Sequence, residues 1–425
     1  MARFFYSLLY AFLLPVLVLR LWWRGRLNPG YRQRLRERFG ILPHRPPANG
    51  LWIHAVSVGE TLAAAPLVKS FQMRHPNIPV IVTTTTPTGS EQVQRLFGAG
   101  VYHMYLPYDL PWFWRNFLNA LRPGLLVVME TELWPNLLAC CEQRRIPVML
   151  ANARLSEKSA RGYEKFAALT QPMLQRLTTV AVQNAADGQR FLDLGLPSER
   201  LEVTGSVKFD MDVPPMVPVQ GAALREQWGS ERPVLALASS HAGEDELLLD
   251  LYPRLQTVCP ELLLLLIPRH PERFEAVTNA VRSRGLRVQR RSSGSSGSAS
   301  EQTQVYVADT MGEMLQLLAA ADLVLVGGSL IAHGGHNPIE PAALGKATLI
   351  GPHHMNFAVI VDNLQNAGAL ALVSDQADEL LVQLQSYLRD TDLRSRMGAA
   401  GQAAVDANRG AVKRLTELCG AHLKL

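Results

Sequence analysis

"GGSLIAHGGHNPIEPAALGKATLIGP", residues Gly327–Pro352, lies between two short apolar runs, Leu323–Val326 and Ala347–Ile350. Each run reads as a buried strand, and from Pro338 onward the pattern between them turns helical. A strand, a glycine-rich turn and a helix opened by Asn337-Pro338 form a place where backbone N–H groups face an anion. The unit recurs along the chain, so this stretch decides the fold class.

Upstream of it, "LWIHAVS", "VIVTTTT", "VYHMYLP", "LLVVME", "VMLANAR", "TVAVQN" and "LEVTGSV" read as strands separated by helical patterns as far as about Lys208. A second series, "PVLALASS", "LLLLLIPRH", "LRVQRR", "QVYVADT", "LVLVGGS", "ATLIGP" and "ALALVS", follows a stretch rich in proline. Strands alternating with helices predict parallel sheets covered on both faces. The expectation is an α/β chain with two doubly wound, Rossmann-like domains facing a cleft. Its divisions are a membrane anchor at 1–26, a first domain at 27–212, a linker at 213–220, a second domain at 221–400, and a terminal helix at 401–425 with room to cross back. The linker is placed by Pro214, Pro215 and Pro218, which cannot continue a sheet. "SSGSSGSAS", Ser292–Ser300, reads as a flexible loop.

Composition bounds the function. The chain has 425 residues, 48% apolar and 19% charged, so sizeable cores form and extensive disorder is excluded. The net charge is +5, and much of the excess is arginine just after "FFYSLLYAFLLPVLVL", Phe4–Leu19. A run of 16 uncharged residues, extendable through Trp22 and Trp23, reads as an uncleaved membrane anchor or interfacial helix. Arg20, Arg24, Arg26, Arg32, Arg34, Arg36 and Arg38 point to an anionic lipid surface rather than nucleic acid and orient the bulk of the chain to the cytoplasm. Cys140, Cys141, Cys259 and Cys419 include no CxxC, which suits a reducing compartment and gives no metal site. Neither GxGxxG after the first strand nor GxxxxGK[ST] is present, so dinucleotide chemistry and P-loop hydrolysis lack support.

Candidate chemistry collects at strand exits. Glu60 follows the first strand; it is either a first-turn carboxylate favoured by the helix dipole or a base at the cleft. Glu130 and Glu132 follow "LLVVM", and two carboxylates at one exit are unusual for a structural turn. Lys208 ends "VTGSVK" at the first domain's rim. In the second domain, "IPRHPERF" places Arg269 and His270 at an exit, where an arginine can fork a phosphate. Gly312 in "DTMGEM" offers backbone to a base or phosphate. Glu340 either compensates a helix dipole or holds vicinal ribose hydroxyls. Together these second-domain signals point to a sugar nucleotide.

"SVGE", "METELWPN", "NARLSEKS", "TGSVKFD", "PRHPERF" and "GGSL…GGHNPIEPA" occur in the order of a known family. Over essentially its whole length the chain resembles the 3-deoxy-D-manno-octulosonic acid (Kdo) transferases of lipopolysaccharide synthesis. The resemblance implies a GT-B fold and an inverting glycosyltransferase. Its donor substrate would be CMP-Kdo, with no further cofactor, and its acceptor the tetraacylated disaccharide precursor of lipid A (lipid IVA). It implies Glu60 as proton acceptor, with Glu130 and Lys208 as transition-state stabilisers. It places the CMP moiety on Pro268, Arg269, Met311, Gly312, Glu313, Asn337, Pro338, Ile339 and Glu340. No metal and no nucleic-acid partner are implied. The location implied is the cytoplasmic face of the inner membrane, in contact with its lipids. Two other classes stay open on the residues alone: a transferase using a UDP sugar, and a non-catalytic lipid- or nucleotide-binding scaffold.

Overall fold

The computed structural model describes residues 1–293 and 302–425. Most of the expected Ser292–Ser300 loop lies outside the described residues. The chain divides into two compact units, Met1–Asp210 with Arg409–Leu425, and Met211–Asn408.

The first unit holds a sheet of β1 (Leu51–His54), β2 (Val80–Thr84), β3 (Tyr102–Tyr105), β4 (Leu125–Met129), β5 (Val148–Ala153), β6 (Thr179–Val182) and β7 (Leu201–Val203). Its order is β3-β2-β1-β4-β5-β6-β7, and every pair is parallel. Strand runs such as "LLVVM" are apolar throughout because both faces are covered. Side chains alternate between two cores. Trp52, Leu126, Val128 and Leu150 enter one, and Leu51, Ile53, Leu125, Val127 and Met149 the other. The second core is completed by Ala411, Leu415 and Cys419 from the Ala411–Leu423 helix, which packs on the Val58–Arg74 helix.

The second unit repeats the plan with β8 (Val234–Ser240), β9 (Leu263–Pro268), β10 (Val288–Arg290), β11 (Val305–Val307), β12 (Leu323–Val326), β13 (Ala347–Ile350) and β14 (Leu370–Leu372). The order is β10-β11-β9-β8-β12-β13-β14, again all parallel. Strand order reverses at β1/β4 in one unit and at β8/β12 in the other. In open parallel sheets such switch points leave a crevice at the strand C-termini.

Three boundaries differ from expectation. The terminal helix read at 401–425 starts at Ala411, because residues 401–408 continue the Thr391–Asn408 helix of the second unit. The linker read at 213–220 is extended only to its prolines, because the Met216–Trp228 helix starts inside it. Pro218 is tolerated there since the first-turn N–H groups have no intrahelical partner. The Asn337-Pro338 helix is a single turn, Ile339–Ala343, with Pro338 just outside it. At the N-terminus, Ala2–Arg24 forms one helix whose length and composition suit a membrane crossing.

Candidate active site and nucleotide site

In the first unit the backbone leaves β1 at His54 and enters a helix at Val58. Ser57 caps that helix, its side chain accepting from the Glu60 N–H. The Glu60 carboxylate turns back and accepts from the Val56 N–H at 2.8 Å and the Ser57 hydroxyl at 3.0 Å. This reciprocal arrangement is a capping box in effect, and it fixes the carboxylate at the β1 exit. Burial pushes its pKa up to about 7, against those two hydrogen bonds, and the nearby charges of Glu130 and Glu132 push the same way.

Glu130 follows β4 in a left-handed conformation, φ +58°. A non-glycine residue held there stores strain of about 1–3 kcal/mol and marks an over-determined position. Its N–H donates to the Ala151 carbonyl at 2.9 Å, and its carboxylate accepts from Arg154 at 3.0 Å. Glu132 lies half-buried beside it, and burial followed by the Glu130 charge raises its pKa. Lys208 sits half-buried in the Val207–Phe209 turn. Burial lowers its pKa, Arg154 adds to that, and Glu130 opposes it. The structure thus brings Glu60, Glu130 and Lys208 into one electrostatic group at the β1/β4 switch point.

Two members of this group are absent from the sequence reading. Arg154 is the Glu130 partner. Asn152, fully buried at φ +53°, accepts from the Val207 N–H at 3.2 Å and so anchors the Lys208 turn to the end of β5. The "NAR" that closes the buried strand β5 is the only signal that pointed to them.

In the second unit, Pro268 ends β9, and the Arg269 N–H donates to the Ser240 carbonyl at 3.1 Å. Asn337 accepts from the Ile339 N–H at 3.1 Å and donates to Glu340 at 3.2 Å. Burial raises the Glu340 pKa, while Asn337 and the Arg269 charge pull it down. Pro338 and Ile339 are buried beneath that turn. Met311, Gly312 and Glu313 follow β11, which neighbours β9. Met311 is exposed, Gly312 has φ +84° with open space beside it, and Glu313 is held below the usual carboxylate range by Arg291 at 2.8 Å.

Two further features emerge only in three dimensions. Glu244, fully buried in the first turn after β8, accepts from the N–H groups of His241 (3.0 Å), Gly328 (2.7 Å), Ser329 (3.1 Å) and Leu330 (3.1 Å). It braces the turn that opens the glycine-rich stretch. Glycine is required there. A Cβ at Gly327 would lie 2.6 Å from the Ser239 carbonyl oxygen, and Gly328 has φ +66°. Around this turn His241 and His336 approach with Nε2 atoms 2.7 Å apart, His333 lies tilted against His241 with centroids 3.9 Å apart, and His270 lies edge-on at 5.6 Å. The ligand atoms of His241, His333 and His336 lie within 4.8 Å of one another, a spacing compatible with a metal ion. The charges of Arg269 and its neighbours make the site electropositive. Burial first, then these imidazoles and Arg269, lower the pKa of His241 and His336 to about 4. A neutral imidazole offers one lone pair to a metal and one N–H to an anion, and it is the Arg269 charge beside the group that favours an anion.

Two parallel, doubly wound units in one chain define a GT-B protein, and solved structures share the architecture. A glycosyltransferase from Rickettsia africae matches 89% of this chain and 100% of its own with a TM-score of 0.57 at 12% identity. A UDP-GlcNAc 2-epimerase from Neisseria meningitidis matches 87% and 98% with a TM-score of 0.56 at 15% identity. The family model for 3-deoxy-D-manno-octulosonic-acid transferase (kdotransferase) matches residues 33–211. The 3-deoxy-D-manno-octulosonic acid transferase of Haemophilus influenzae is 41% identical, over 100% of this chain and 99% of its own. That of Bordetella pertussis is 38% identical, over 97% and 98%. The chain belongs to the Kdo transferases, a family of glycosyltransferases.

Proposed function

We propose that the protein transfers Kdo from CMP-Kdo to a hydroxyl of lipid IVA, with inversion at the anomeric carbon, at the cytoplasmic face of the inner membrane during lipopolysaccharide synthesis. The observation that carries this reading is Glu60: a half-buried carboxylate at a switch point, aimed by Ser57 and the Val56 N–H, with its pKa near 7. A general base works best when its pKa lies near the operating pH.

In the proposed reaction the acceptor oxygen forms a bond to the anomeric carbon as the bond from that carbon to the CMP phosphate oxygen breaks. The acceptor proton passes to Glu60, and CMP leaves with the bonding electron pair. One displacement inverts the centre and needs no covalent intermediate. Positive charge gathering on the sugar carbon is offset by Glu130, and Lys208 receives developing negative charge. The donor rests on the second unit. Arg269 and the imidazoles take its anionic groups, Glu340 the ribose hydroxyls, and Met311–Glu313 the base. The anion is received chiefly by Arg269 and the imidazoles, because a helix of one turn has little dipole.

The test is transfer from CMP-Kdo to lipid IVA by the full chain, beside Glu60→Gln, with products resolved by mass and CMP binding measured in parallel. The expected result is a fall in kcat of about 10²–10⁴-fold with CMP affinity retained. Full activity in the variant would remove Glu60 as the base. Absence of transfer by the unmodified chain would overturn the donor–acceptor assignment.

A further inference from the structure

The Ala2–Arg24 helix has 23 residues and is about 34 Å long at 1.5 Å per residue, which suffices to cross a bilayer. Length leaves open whether it crosses or lies flat, but its two faces do not. Arg3, Ser7, Tyr10, Leu14, Leu17 and Leu21 are half-buried at helical spacing from the first turn to the last. The opposite face exposes Phe5, Leu9, Phe12, Val16, Leu19 and Trp23. One side of the helix therefore faces the first unit, in contact with the Pro135–Gln143 and Ala167–Leu174 helices.

Both ends are tied. Near the N-terminus, Asn136 donates to the Ser7 hydroxyl at 2.9 Å. The Asn136 side chain is 0% exposed, and the neighbouring Asp109 carboxylate, 1% exposed, accepts from Trp114 at 2.6 Å and from the Asn136 and Leu137 N–H groups. Near the C-terminal end, Arg32 donates to the Trp22 carbonyl at 3.1 Å. A crossing helix would carry its first turn some 30 Å away, to the far side of the hydrocarbon. It would have to abandon Asn136, uncover the Asp109 site, and turn Tyr6, Ser7 and Tyr10 towards lipid, where unpaired polar groups are costly.

We propose that this helix does not cross the membrane but lies in the plane of one leaflet of an anionic bilayer, docked lengthwise on the first unit, with its phenylalanine- and leucine-rich face immersed. The charge pattern selects that partner. Arg3 stands at one end and Arg20, Arg24, Arg26 and Arg32 at the other, and no carboxylate precedes Glu37. Arginines at both ends of an in-plane helix reach phosphate headgroups, while Trp22, Trp23 and the exposed Trp112 suit the headgroup level.

The test uses the full chain with a fluorophore on a cysteine introduced singly as Phe5→Cys, Leu13→Cys or Leu19→Cys, all on the exposed face. Cys140, Cys141 and Cys419 are buried and Cys259 is half-buried, so the labelled unmodified chain serves as the blank. Vesicles of phosphatidylglycerol and phosphatidylethanolamine carry a nitroxide quencher either near the headgroup or near the acyl-chain end. An in-plane helix gives similar quenching at all three positions, stronger with the shallow quencher. Strongest deep quenching at Leu13→Cys, with shallow quenching at both outer positions, would show a crossing helix and overturn the proposal. No quenching at any position would overturn the bilayer as partner.

Discussion

Glu60 and Glu244 occupy equivalent places, each in the first helical turn after the first strand of its sheet. Their surroundings make them opposites. Glu60 is half-buried with two donors and two carboxylates nearby, and its pKa rises to about 7. Glu244 is fully buried and its oxygens are saturated by four backbone N–H groups. The same topological position holds the proposed proton acceptor in one unit and a structural brace in the other. The difference lies in how many donors the local backbone turns towards the carboxylate.

The comparison breaks most visibly if Glu60→Gln is harmless to turnover. The expected loss of kcat, about 10²–10⁴-fold, should come without loss of folding. The folded state raises this carboxyl's pKa, so above about pH 7 it holds a charge that the unfolded chain carries more easily. Gln removes that burden, and Tm measured at pH 8 should stay level or rise. Turnover of the unmodified protein should increase with pH through about 7, as Glu60 loses its proton. It should fall again on the alkaline side, below the ordinary lysine range, as Lys208 loses its charge.

Glu244→Ala should do the reverse. Three buried N–H groups and one part-buried one lose their acceptor, at about 1–3 kcal/mol for each buried group before water and relaxation recover part of it, so a net loss on the order of 3 kcal/mol is expected. Thermal unfolding and CMP titration should show the second unit destabilised and nucleotide affinity reduced. Unchanged stability would mean the glycine-rich turn holds its shape without the brace.

A smaller effect, about 1–2 kcal/mol, is expected for Asn152→Ala, which loses the bond to the Val207 N–H and places alanine in a left-handed conformation. Lys208 should then be less well fixed, so kcat should fall more than the change in KM. Smallest is Met311→Ala. This exposed side chain should shift Tm by no more than about ±0.5 kcal/mol equivalent. A measurable loss of CMP affinity in that variant would sharpen the assignment of Met311–Glu313 to the nucleotide base.

The strand-and-exit logic of the sites was legible because it is local. An apolar run followed at once by Glu130 or Arg269, or by a capped helix with Glu60 in its first turn, places that residue at a sheet edge wherever the sheet lies. The brace and the imidazole group were not legible. His241 and His336 are 95 residues apart and meet only because β12 pairs with β8, a neighbour relation that strand patterns do not encode. Arg154 was hidden for a different reason. An arginine one residue after a strand is normally solvated, and only the turned-back Glu130 gives it a partner. The proline-rich linker misled because Pro214, Pro215 and Pro218 forbid a strand, yet a proline in a first helical turn is acceptable.

The Ala411–Leu423 helix has a consequence for synthesis. The ribosome emits the first unit's sheet early, but the helix that seals one face of it follows the whole second unit. Until those residues emerge, Leu51, Ile53 and Leu67 lack Ala411, Leu415 and Cys419 as partners, and the Asp210 carboxylate lacks the N–H groups of Gly410 and Val412. A chain stopped before Ala411 therefore presents an apolar face to chaperones and proteases. The order of translation makes the Ala411–Leu423 helix a late seal on a sheet whose strands were all made before the second unit.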